Sequence, residues 1–297
     1  MIISASRRTD IPAFYSEWFI NRIRAGFCTV INPFNRKQVA YVSLQPGDVD
    51  VIVFWTRNAR PLLPYLSELS ARGYRYYFHY TLTGYPLMLE PYAPSVEQSM
   101  VNFRELAGMI GADKLIWRYD PILVSDITDY EYHRRNFAAL AAQLEGFTRR
   151  VVVSLADEYR KAASNFRKLA QQGITVRTDY SGDAFADLMT CLSTIARKHD
   201  MEIFSCAEIY DLKPYGIFPG KCIDDKYLRA VFGIQVAAGK DKSQRPACGC
   251  VPSKDIGFYD TCLHGCLYCY AGTYHAAYKN RLAHDPVSPS LIGWYEA

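Results

Sequence analysis

Short apolar runs alternate with longer amphipathic stretches along the first two-thirds of the chain. The runs at 2–6, 49–55, 75–82, 114–118, 150–155 and 202–207 hold five to eight residues each and predict six β-strands. Between them, the segments 14–25, 62–69, 96–110, 130–144, 156–172 and 184–198 carry apolar residues at helical spacing, as in Phe14, Trp18, Phe19 and Ile23. The segment 174–178 is a candidate for one further short strand. Strands and helices in this alternation predict βα units around a parallel sheet, so the expected fold class is α/β, a full or partial TIM-like (β/α) barrel.

In such folds ligands sit at the C-terminal ends of the strands. The residues predicted there are polar or aromatic at strand after strand: Arg8 and Asp10, Trp55, Arg57 and Asn58, Tyr80 and Thr81, Arg118 and Asp120, Asp157, and Glu208. Ordinary turn chemistry explains any one of them. Their recurrence predicts a shared mouth, with Arg8, Arg57, Arg118, Asp120 and Glu208 as candidate cofactor-binding residues. Arg7-Arg8 before Asp10 suits either forked binding of a carboxylate or phosphate, or an internal ion-pair cluster.

The βα rhythm stops at Ile209, and Gly, Pro, Lys and Asp become dense. The expected organisation is a barrel over residues 1–208 and a cysteine-rich, metal-binding extension over 209–297, packed on the barrel mouth. That extension has too little apolar periodicity for a core of its own, apart from a helix predicted over 273–281. It contains Cys262-Leu-His-Gly-Cys266-Leu-Tyr-Cys269-Tyr, a C-x3-C-x2-C spacing. Three thiolates within eight residues can cap one face of a small inorganic cluster, and soft thiolates select iron–sulfur or zinc. Zinc asks for a fourth ligand, which His264, His275 or an upstream cysteine would supply; the spacing favours iron and sulfide. Cys206, Cys222, Cys248 and Cys250 form a looser candidate set for a second iron–sulfur cluster or a zinc ion. Core packing is the plain alternative for Cys206, as it is for Cys28 and Cys191.

Composition narrows the field modestly. The chain of 297 residues is 49% hydrophobic, which suits a large core, and its net charge of +4 makes no case for nucleic-acid binding. No apolar stretch reaches the roughly 18–20 residues of a membrane helix, and the N-terminus lacks a secretory pattern, so no membrane partner is expected and the cytoplasm is the default location. Nine cysteines, an odd number in a reducing compartment, favour metal ligation over disulfides. Gly-rich phosphate loops, Ser/His/Asp arrangements and zinc-hydrolase helices are missing, and the six histidines are scattered.

The C-x3-C-x2-C triplet, with Tyr268 before the third cysteine, resembles the signature of the radical SAM superfamily, and Cys266-Leu-Tyr-Cys269-Tyr looks most like its spore photoproduct lyase-type members. The resemblance implies a [4Fe–4S] cluster on Cys262, Cys266 and Cys269, with S-adenosylmethionine on the open iron. It also implies a 5′-deoxyadenosyl radical that abstracts hydrogen from a substrate, and an electron donor such as flavodoxin or ferredoxin. Ser4-Ala-Ser-Arg-Arg-Thr-Asp-Ile-Pro, Phe54-Trp-Thr-Arg-Asn, Trp117-Arg-Tyr-Asp-Pro, Cys206-Ala-Glu and Gly220-Lys-Cys222-Ile-Asp resemble, in addition, an uncharacterised family with this cysteine motif at the C-terminus. Two departures from the superfamily stand out. The motif follows the last predicted strand instead of the first. No Gly-Gly-Glu-like turn follows the second strand, so Asp120 or Glu208 is the carboxylate that would replace it. The competing function is a binding module, for nucleic acid among other partners, in which a structural zinc or iron–sulfur clip holds the cysteine layer and aromatic residues supply stacking surfaces.

Overall fold

Eight parallel strands form one sheet in the computed structural model, which describes residues 1–33 and 35–296. In chain order they are β1 Ile2–Ala5, β2 Val51–Thr56, β3 Tyr76–Thr81, β4 Leu115–Ile122, β5 Arg150–Leu155, β6 Glu202–Cys206, β7 Phe218–Gly220 and β8 Lys254–Asp255. Their spatial order is β7-β6-β5-β4-β3-β2-β1-β8, so each strand from β1 to β7 lies beside its predecessor and β8 flanks β1. Six strands are expected from the sequence; β7 and β8 are additional. They lie beyond residue 208, so the division expected there falls inside one continuous sheet. A closed barrel is not what is observed: among the described residues the outer strands β7 and β8 share no pairing. The fold class that stands is α/β with a large parallel sheet.

Strand alternation sorts the side chains onto two faces. Ile3, Ile52, Phe54, Phe78, Trp117, Val151 and Val153 meet the helices α2 (Ser16–Ala25), α3 (Leu66–Ala71), α4 (Val96–Ile110), α5 (Tyr130–Leu144) and α7 (Asp183–Lys198), through residues such as Trp18, Leu66, Phe103, Phe137 and Leu188, while α6 (Arg160–Gln171) packs with Tyr85, Leu89 and Leu123. Val51, Val53, Tyr77, Ile116 and Val152 point the other way, against Cys222, Tyr227, Leu228, Cys250 and Val251. The chain beyond 209 therefore covers the second face of the sheet, with α8 (Asp225–Phe232) packed on it through Tyr227 and Leu228.

The helices begin where local chemistry tells them to. Ser95 and Gln98 form a reciprocal capping box at the start of α4, and Met100, Phe103, Leu106, Ala107 and Ile110 make its buried stripe before Gly111. Ser95→Ala is expected to cost about 1 kcal/mol in equilibrium unfolding; an unchanged denaturation midpoint would show that the cap contributes nothing. The single helix expected over 14–25 is two, α1 (Ile11–Phe14) and α2, because Tyr15 leaves helical geometry at φ −137° and ψ 24°. The short strand expected near 174–178 is Val176–Arg177, paired antiparallel with Val124–Ser125 outside the main sheet. A hairpin of Phe27–Asn32 and Asn35–Ser43 is inserted between α2 and β2. No helix among the described residues is long and apolar enough to cross a membrane.

Candidate metal centre

Every strand delivers its C-terminal residues to the same end of the sheet, and the C-x3-C-x2-C loop lies across that end. Asp10, just past β1, ties it together. One carboxylate oxygen accepts from Ala13 N at 2.9 Å and caps α1. The other accepts from Arg57 N at 2.7 Å and from His264 Nε2 at 2.8 Å, so the ends of β1 and β2 and the cysteine loop share one buried carboxylate. Farther along, Leu267 N donates to Leu89 O at 3.0 Å and Asn165 Nδ2 to Leu267 O at 2.8 Å. Lys161 holds both oxygens of Asp260, at 2.9 and 2.8 Å, just before the motif. Gly265 sits at φ +68°, and a Cβ there would stand 2.7 Å from the Tyr92 ring, so only glycine fits this turn between Cys262 and Cys266.

The centre of the clasp is the Arg57–Glu90 pair. Arg57 Nη1 donates to Glu90 Oε2 at 2.9 Å, Arg57 Nη2 lies 2.9 Å from Glu90 Oε1, and Thr83 Oγ1 donates to Glu90 Oε1 at 2.7 Å. Tyr268, between the second and third cysteines, donates its hydroxyl proton to Glu90 and accepts from Arg57. Tyr268 and Glu90 are both buried. A cavity of about 310 Å³ opens beside this clasp, lined by Arg57, Thr83, Glu90 and Ser95. A second, of about 460 Å³, is bordered by Arg7, Arg8 and Asp255.

Burial dominates the three thiols. It pushes Cys262 well above the usual thiol range, with Asp10 and the sibling cysteines adding to the rise. It pushes Cys266 up to about 12 against the pull of the Arg57 guanidinium. It raises Cys269 as well, opposed by hydrogen bonds from the backbone at Ala271 and Gly272. Ala271 N reaches Cys269 Sγ at 3.3 Å. Without a cation these groups keep their protons; a bound metal must displace them, so loading releases protons and favours higher pH.

The other residues singled out in the sequence divide between two places. Arg57 belongs to the clasp and is committed to Glu90, Thr83 and Tyr268. Arg118 pairs with Asp120 at 2.7 Å and donates to Cys222 Sγ at 2.9 Å, so both residues, which lie within β4 and not beyond its end, stand with the second cysteine group. Cys206, Cys222, Cys248 and Cys250 do come together, on the inner face of the sheet. Glu208 accepts from Leu155 N at 3.0 Å and Ile209 N at 2.8 Å, pinning the ends of β5 and β6. Arg8 is the least engaged, 3.9 Å from Asp255 and over the Tyr259 ring at 5.1 Å. Glu90 and Asp255 carry no local pattern and are found only by their contacts; Asp255 accepts from Ser4, Ser6 and Arg7 N. Among the described residues, no three His, Cys, Asp or Glu side chains stand ready to hold a single metal ion.

One buried group makes a prediction of its own. His133 on α5 contacts Tyr119 OH through Nδ1 and Leu123 O through Nε2, and burial pushes it down to about 4. The folded state binds the proton more weakly than the unfolded chain, so the stabilisation is complete above about pH 6.5 and is lost as pH falls toward 4. Stability is expected to drop by roughly 1 kcal/mol per pH unit in that window. His133→Gln should remove this share of the slope in denaturant titrations; identical slopes would contradict the assignment.

The model of a family described as a domain of unknown function (DUF1848) matches residues 2–271, from β1 through the third cysteine of the motif and Ala271. No curated protein matches the chain. No solved structure matches it.

Proposed function

The chain belongs to this uncharacterised family, and from its own site we propose that it is a [4Fe–4S] enzyme of radical SAM type, with Cys262, Cys266 and Cys269 as the cluster ligands. The observation that carries the proposal is the seating of these three cysteines at the C-terminal end of the parallel sheet, on a loop locked by Asp10 and by the Arg57–Glu90–Tyr268 clasp. The sequential order of the eight strands supports a (β/α) barrel left open at one seam, whose mouth this loop covers.

When bound, the cluster would pass one electron to S-adenosylmethionine, whose sulfonium–C5′ bond breaks to give methionine and a 5′-deoxyadenosyl radical that takes hydrogen from a substrate. The chain's own residues have simpler tasks. Cys262, Cys266 and Cys269 give up their protons and supply three thiolates. Arg57 and Lys161 set positive charge near the thiolates of Cys266 and Cys269. The clasp fixes the loop so that the sulfurs keep their spacing. Arg8, whose Nε stands 3.9 Å from Asp255, would take the methionine carboxylate. A small electron donor of flavodoxin or ferredoxin type completes the cycle.

The zinc-clip alternative needs a fourth ligand at the motif. Both ring nitrogens of His264 are engaged, Nε2 with Asp10 at 2.8 Å and Nδ1 with Tyr92 O at 3.4 Å, which favours three-thiolate ligation over His264 as the fourth ligand. The test is anaerobic incubation of reduced, cluster-loaded protein with S-adenosylmethionine. Formation of methionine and 5′-deoxyadenosine is expected. A protein with full iron and sulfide that leaves S-adenosylmethionine intact would overturn the radical reaction.

A further inference from the structure

Four cysteines on the inner face of the sheet have no part in the cluster at the mouth. Cys206 ends β6, Cys222 follows β7, and Cys248 and Cys250 lie in the irregular segment leading to β8. Cys206 Sγ and Cys222 Sγ are 2.9 Å apart. Cys222, Cys248 and Cys250 belong to one buried cluster against which Cys206 packs, and Ile223 N donates to Cys250 Sγ at 3.4 Å. Three of the four are buried. Packing of small apolar thiols explains buried cysteines singly. It does not explain four thiols gathered in one cluster beside two cations. Arg118 Nη1 donates to Cys222 Sγ at 2.9 Å. Arg7 faces Cys250, Cys222 and Cys248, and among the described residues no acceptor reaches its buried Nη2. An orphaned guanidinium nitrogen aimed at thiols is satisfied when those thiols become thiolates.

We propose that Cys206, Cys222, Cys248 and Cys250 form a closed tetrathiolate site for one thiophilic divalent ion, zinc in the first place, which fastens the open seam of the sheet. Four thiolates around one divalent cation carry a net charge of −2, which Arg7 offsets in part, while Arg118, paired with Asp120, contributes its hydrogen bond to Cys222. Zinc–sulfur bonds of about 2.3 Å put tetrahedral sulfurs about 3.8 Å apart, so the Cys206–Cys222 contact of 2.9 Å needs to open by roughly 1 Å. A cubane would demand a wider spread. As thiols, Cys206 and Cys222 touch directly instead of sharing a common point with Cys248 and Cys250, in keeping with the lack of a ready-made cage among the described residues. A Cys206–Cys222 disulfide would use only two of the sulfurs and leave Arg7 Nη2 without an acceptor. The location suits a clip. β7 and β8 do not pair, and the four cysteines bring the β6–β7 edge to the segment entering β8, where Val251 N already donates to Ile223 O at 3.1 Å.

The site is independent of the mouth cluster, so it is tested in full-length Cys266→Ala protein. One zinc per chain is expected, along with exchange for one cobalt ion whose spectrum shows thiolate charge transfer and tetrahedral ligand-field bands. Cys250→Ser should abolish the stoichiometric ion. Arg7→Gln, which leaves all four ligands in place, should weaken zinc by about 10- to 100-fold. Three results would overturn the proposal: no bound metal with four freely titrating thiols, a Cys206–Cys222 disulfide by mass spectrometry, or iron with sulfide in place of a single ion.

Discussion

Cys266→Ala protein is expected to cleave S-adenosylmethionine at the background rate, a fall of at least about 1,000-fold, equivalent to some 4 kcal/mol of lost transition-state stabilisation. The loss should be all or none, because two cysteines cannot replace three in positioning a cluster with a single open corner. Cys262→Ala and Cys269→Ala should behave alike. Cys191→Ala is the control: that thiol lies on α7, among the residues of a helix that packs against α5. Its rate should stay within about twofold of wild type, a change of under half a kcal/mol. Measured in parallel after anaerobic reconstitution, an active Cys266→Ala protein would remove the motif from the chemistry.

Breaking the clasp under the cysteine loop should have the largest effect on stability. Glu90 and Arg57 are almost fully withdrawn from water, with side chains 5% and 12% exposed. Glu90→Ala leaves the Arg57 guanidinium buried without its counter-charge, and the expected cost is about 3–5 kcal/mol. Tyr268→Phe removes only a hydroxyl from the same network and should cost about 1–3 kcal/mol. Replacing both charged partners, Arg57→Met with Glu90→Leu, should recover much of the loss, since no lone charge remains. Guanidinium titrations of the four proteins check the ranking. A Glu90→Ala variant as stable as wild type would mean that solvent reaches Arg57.

Local chemistry was enough to read some elements to the residue. Val96–Ile110, Tyr130–Leu144 and Arg150–Leu155 have the bounds expected, the two helices because Ser95 and Asp129 cap them and apolar residues repeat at the helical period. β7 and β8 leave no local signal, being three and two residues long and holding Pro, Gly, Lys and Asp. Their extended state comes from pairing with β6 and β1, which is not a local property. For the same reason the chain beyond 209 reads as an appendage, although it supplies the covering of the inner face. The candidate ligands divide similarly. The spacing of Cys262, Cys266 and Cys269 is visible in one line of sequence. Their anchors are not: His264 finds Asp10 across 254 positions, and Tyr268 finds Glu90 across 178. Arg57 directly follows β2, whereas Arg118 and Asp120 fall inside β4, which runs on to Ile122; that their charges are already paired is not readable locally.

Iron and acid-labile sulfide per chain, determined on wild-type protein purified without oxygen beside Cys266→Ala, test the central claim most directly. About four of each in the wild type, and none in the variant, are predicted for a cubane on the three mouth cysteines. Wild-type protein with zinc at the motif and no sulfide would contradict the iron–sulfur assignment and leave an α/β protein with a structural metal clip.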